Sequence, residues 1–61
     1  MYKIEYCLDV DDKFFHIDLI DKIVGVYITH LYAKNEDALN RNIEEFKKHY
    51  NIVEIENQGQ M

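Results

Sequence analysis

The sequence predicts a small α+β domain: a three-stranded antiparallel meander, one helix and a short last strand, in the order β-β-β-α-β. Three observations carry that expectation. Apolar and polar residues alternate through most of residues 2–33, the period of a half-buried strand. Apolar residues then recur at helical spacing from Leu39 to Tyr50. A short alternating stretch, Ile52 to Glu56, follows the helix.

In the first strand Tyr2, Ile4, Tyr6 and Leu8 alternate with Lys3, Glu5, Cys7 and Asp9. Asp11-Asp12 makes a turn, and Phe15, Ile17 and Leu19 then alternate with Phe14, His16 and Asp18. Asp21-Lys22 is the second expected turn, and a long strand from about Ile23 to Ala33 follows. A two-residue loop at Asp11-Asp12 sets Leu8 against Phe15, Tyr6 against Ile17 and Ile4 against Leu19. A two-residue loop at Asp21-Lys22 sets Leu19 against Val24, Ile17 against Val26 and Phe15 against Ile28. All three strands then put their apolar set on one face, an agreement that a one-residue slip destroys. A helix over Lys13 to Val24 competes with the second strand. Asp12 would cap it, Gly25 would end it, and Phe15, Leu19, Ile20 and Ile23 would form its stripe.

Asn35 is a good N-cap, and Glu36 and Asp37 suit the positive start of the next helix. Leu39, Ile43, Phe46 and Tyr50 lie on one stripe, which covers the apolar sheet face. Lys47, Lys48 and His49 suit the last turn, Glu44 and Lys48 can pair, and Asn51 suits a left-handed helix end. In the last strand Val53 and Ile55 point inward. Residues 1–56 thus form one domain, and residues 57–61 a frayed polar tail.

Under this register the second sheet face carries Cys7, Phe14, His16, Ile20, Ile23 and Tyr27, with Lys3, Glu5, Asp18 and Thr29 among them. His16 falls opposite Tyr27, and Gly25 opposite Asp18. One helix cannot cover both faces, and an uncovered apolar patch marks an interaction site. A chain of 61 residues is also short of core, since a domain of this size buries only about 60% of its unfolded surface. With a single cysteine it has no internal disulfide to compensate. A homodimer through Phe14, His16, Ile20, Ile23 and Tyr27 answers both points.

The chemistry of the chain is restricted. It has no Ser and only two isolated glycines, which excludes a serine hydrolase and a phosphate-cradling loop. Cys7 and His16 are neighbours in the expected register, yet nothing has metal-ligand spacing, so no metal or cofactor is expected. Asp9-Val10-Asp11-Asp12 lacks the glycine and distal glutamate of a calcium loop. A fold this small offers little concavity for a substrate, and no enzymatic activity is expected. Twelve acidic residues against seven basic ones give a net charge of −5. That balance argues against binding nucleic acid directly. It suits an acidic surface that docks on a basic groove, with Asp9, Asp11, Asp12, Glu36, Asp37, Glu44 and Glu45 as contacts beside Arg41 and Lys48. No apolar run is long enough to span a membrane, and a lone cysteine without an apolar leader fits the cytoplasm.

In size, acidity and composition the chain resembles small phage-encoded proteins that inhibit host enzymes, including anti-CRISPR and other anti-defence proteins. The resemblance is compositional and carries no motif. It implies a host protein as partner, one that acts on nucleic acid, met in the host cytoplasm. The alternative is a structural or regulatory accessory domain, such as the antitoxin-like partner of another small protein.

Overall fold

The structure is a computed structural model and describes residues 1–60; Met61 lies outside the described residues. Strands β1 (Tyr2–Asp9), β2 (Phe14–Asp21) and β3 (Val26–Ala33) are followed by helix α1 (Glu36–His49) and strand β4 (Ile52–Gln60). The competing helix over Lys13–Val24 is not formed. The sheet order is β3-β2-β1-β4, antiparallel except that β4 runs parallel to β1. The sheet is therefore mixed, a correction to the antiparallel expectation. The reason is the crossover: α1 returns the chain to the starting end of the sheet, so the next strand must run with β1.

The β1–β2 register is the expected one, with Ile4 opposite Leu19, Tyr6 opposite Ile17 and Leu8 opposite Phe15. The β2–β3 register is not. Its turn spans Lys22–Gly25 rather than Asp21-Lys22, and Asp21 pairs with Val26. That slip of four residues keeps every side chain on its expected face. A bulge then intervenes: Ile20 faces Tyr27 while Leu19 faces Thr29, leaving Ile28 as the extra residue. One extra residue exchanges the faces beyond it. Thr29, Leu31 and Ala33 share the side of Leu19, Ile17 and Phe15, and His30 and Tyr32 go to the other. Val24, Val26 and Ile28, expected inward, are exposed.

The two turns share one construction. In the first, Lys13 N–H donates to Asp9 O at 2.8 Å, and Asp11 N–H to Asp9 Oδ1 at 2.9 Å. In the second, Gly25 N–H donates to Asp21 O at 2.8 Å, and Ile23 N–H to Asp21 Oδ1 at 2.9 Å. Each turn closes on a residue of positive φ, 62° at Lys13 and 75° at Gly25.

Helix α1 starts as expected, with Asn35 extended and its side chain accepting from Ala38 N–H at 2.8 Å. It buries Leu39, Ile43 and Phe46 against Ile4, Ile17, Leu19 and Ala33, with Tyr50 at the margin. Its end differs from the expectation. Tyr50 caps it in an extended conformation, and Asn51 has no positive φ. The expected Glu44–Lys48 pair is replaced by Lys47 with Glu44 (3.6 Å) and Lys48 with Glu45 (3.4 Å).

Strand β4 is longer than expected, because residues 57–60 continue along β1 instead of fraying. Ile55 lies beside Ile4 but is exposed, Val53 is an unpaired bulge residue and also exposed, and Ile52 packs on the core in their place. The helix lies over β2 and β3, so the β4 end of this face is covered least.

Candidate functional site: the uncovered sheet face

Beyond the bulge the second face has a different membership from the expected one. Its rows across β1, β2 and β3 read Lys3–Ile20–Tyr27, Glu5–Asp18–His30 and Cys7–His16–Tyr32. His16 therefore faces Tyr32 rather than Tyr27, and His30 rather than Gly25 faces Asp18. Ile23, an expected contact, sits in the second turn and is 74% exposed. Ile20, another, is 8% exposed beneath its neighbours and offers little surface. Phe14, Tyr27 and Tyr32 are open to solvent, at 62% for Tyr27 and 59% for Tyr32. The apolar part of the face is thus concentrated along β3 and the start of β2.

The β4 side of the same face is charged. Lys3 Nζ lies 2.9 Å from Glu5, 3.0 Å from Glu56 and 3.5 Å from Glu54. Lys22 reaches Glu54 at 2.7 Å. Hydrogen bonds to Glu5 and Glu56 raise the Lys3 ammonium well above its ordinary range. Lys22 lowers the Glu54 carboxyl, and Lys3, followed by Gln58, lowers that of Glu56.

Between these two sides lies a row of titratable groups. Cys7 is only 7% exposed and stands beside His16. Burial pushes its thiol up, and the charges of Asp18, Asp9 and Asp12 push further. A thiol held protonated this way is a poor nucleophile. His30 Nδ1 is paired with Asp18. Tyr32 stacks edge-on against both His16 and His30, each at 4.8 Å between ring centres. His16 Nε2 lies 2.9 Å from Asp12 Oδ2 and 3.7 Å from Asp9 Oδ2. The Asp12 carboxyl is lowered, first by the Phe14 N–H that it accepts and then by His16. No ligand-sized pocket opens among the described residues.

The expected acidic contacts separate into three groups. Asp9 and Asp12 turn toward His16. Glu44 and Glu45 are paired with lysines of α1. Asp11, Glu36 and Asp37 are exposed and form no side-chain ion pair among the described residues. Sequence reasoning missed His30 and Tyr32 as members of this face, because both lie beyond the Ile28 bulge. Gly25, which stands four residues after Asp21 as Lys13 stands four after Asp9, signals the turn but not the bulge, so no residue pattern announced their place.

No family model matches the chain, and neither the curated proteins nor the solved structures contain a match. No helix among the described residues is long and apolar enough to cross a membrane.

Proposed function

We propose that the chain is a non-catalytic protein-binding module that works as a homodimer through β3. The observation that supports this is the state of that strand. β3 is an edge strand of eight residues, Val-Tyr-Ile-Thr-His-Leu-Tyr-Ala, with no Lys or Pro along it. Natural sheets protect long apolar edges with such residues, or cover them. Here Val26, Tyr27, Ile28 and Tyr32 are all exposed, and Phe14 lies beside Tyr32 at 6.5 Å between ring centres. A second copy pairing β3 to β3 satisfies the free backbone groups and covers these side chains. The contact moves from the expected His16, Ile20 and Ile23 to Val26, Ile28 and Tyr32, and keeps Phe14 and Tyr27.

On this reading the surface left for a target is acidic, with Asp11, Glu36 and Asp37 as its unpaired charges. The compositional resemblance to phage inhibitors of host enzymes points to a basic, nucleic-acid-binding groove as its counterpart. Sedimentation equilibrium tests the dimer. The wild type is expected at twice the 7.4 kDa of one chain. The Ile28→Lys variant, which places a charge on the edge, is expected at single mass with its fold retained by circular dichroism. A wild type that stays monomeric at micromolar concentration removes the proposal.

A further inference from the structure

We propose that Asp9, Asp12 and His16 form a binding site for a divalent first-row transition ion, Zn2+ foremost. One ligand atom from each of these residues falls within a group no more than 4.8 Å across. Ligands about 2.0–2.2 Å from a common ion lie roughly 3.0–3.5 Å apart in tetrahedral or octahedral geometry. The separations of His16 Nε2 from Asp12 Oδ2 and Asp9 Oδ2, 2.9 and 3.7 Å, bracket that range.

The carboxylates are also oriented for the task. Asp9 Oδ1 accepts the Asp11 N–H and Asp12 Oδ1 accepts the Phe14 N–H, each at 2.9 Å. Each Asp thus spends one oxygen on the backbone and presents the other to His16, the support that ligating carboxylates receive in metal sites. The imidazole is fixed as well, by the ring of Tyr32 at 4.8 Å. Neither Asp9 nor Asp12 has a Lys or Arg partner among the described residues, so two carboxylates converge with one imidazole as their only counterpart. The donor set selects the ion. Calcium and magnesium call for more oxygens and no nitrogen, whereas imidazole with carboxylates suits Zn2+. Three protein ligands leave at least one coordination position for water or for a group from another molecule.

The test uses the untagged full chain, stripped with chelator and titrated with ZnCl2 by calorimetry. One ion per chain is expected. His16→Gln and Asp12→Asn are each expected to weaken binding by about ten-fold or more. His30→Gln and His49→Gln are expected to leave it unchanged. Mn2+ added to the 15N-labelled wild type is expected to broaden first the amides of residues 9–16 and of Tyr32, a readout that needs no variant. Absence of Zn2+ uptake up to millimolar concentration overturns the site. So does affinity that survives His16→Gln, or that is lost with His30→Gln.

Discussion

Lys13 and Gly25 hold the same place in two copies of one turn, and only one of them is glycine. The left-handed conformation costs a residue with a Cβ roughly 1–2 kcal/mol. Glycine gives back part of that gain, because it is freer in the unfolded chain. Lys13→Gly is therefore expected to stabilise the fold by about 0.5–1 kcal/mol, a rise of several degrees in Tm for a domain this small. Gly25→Ala is expected to destabilise it by about 1 kcal/mol. The cause is conformational, because a Cβ there meets nothing within 4 Å. Thermal unfolding of the two variants beside the wild type checks both signs. Lys13 also bears on the Asp9–His16 cluster, since its positive φ ends the turn that sets Asp9 and Asp12 on the same side as His16.

Helix α1 and the β1–β2 hairpin were legible in the sequence because each rests on local signals that agree. Asn35 caps, the apolar stripe follows at the helical period, and the structure buries Leu39, Ile43 and Phe46 as that stripe requires. Removing the cap leaves the Ala38 N–H without its side-chain acceptor. Asn35→Ala is expected to cost about 1 kcal/mol by chemical denaturation, with the slope of the transition unchanged. A loss no larger than that of an exposed mid-helix Asn40→Ala control would show that the cap contributes nothing. The β2–β3 hairpin was legible only in part. Apolar residues run almost without interruption from Ile23 to Ile28, so alternation cannot locate the bulge. The bulge decides which side of the sheet His30 and Tyr32 occupy, and hence the composition of the candidate site. The continuation of β4 past Glu56 was missed for another reason. Asn57 to Gln60 is a polar stretch at a sheet edge, where partner backbone rather than side-chain pattern holds a strand. The Asp9–Asp12–His16 cluster was hidden because its geometry comes from a turn carboxylate folding back onto the following strand, which sequence spacing does not reveal.

At the scale of the whole molecule, the uncovered face divides into an apolar side along β3 and a charged side along β4, and the charged side contributes to the pH dependence of stability. Glu54 and Glu56 ionise more readily in the folded chain than their ordinary value of 4.5, through Lys22 and Lys3 respectively. Below that value the unfolded chain takes up protons that the folded chain resists, so their contribution is full above it and is lost as pH falls through the lowered values. Lys3 behaves in the opposite sense. Its ammonium is raised above 10.5, so its contribution is full below that value and disappears as pH climbs toward the raised one. The network's contribution to stability, measured by urea midpoint, is therefore expected to hold between these limits and to decline on both sides, while the raised Cys7 thiol adds an alkaline decline that begins near its ordinary value of 9.0. Because the network is on the surface, salt screens it, and the declines are expected to shrink at molar ionic strength. Lys3→Met separates this network from every other titrating group. It removes the shared partner of Glu5, Glu54 and Glu56, so both the acid and the alkaline declines are expected to be shallower than in the wild type. A Lys3→Met profile parallel to that of the wild type would mean that the network orders the β4 edge without stabilising it. The declines would then belong to Asp12 on the acid side and Cys7 on the alkaline side.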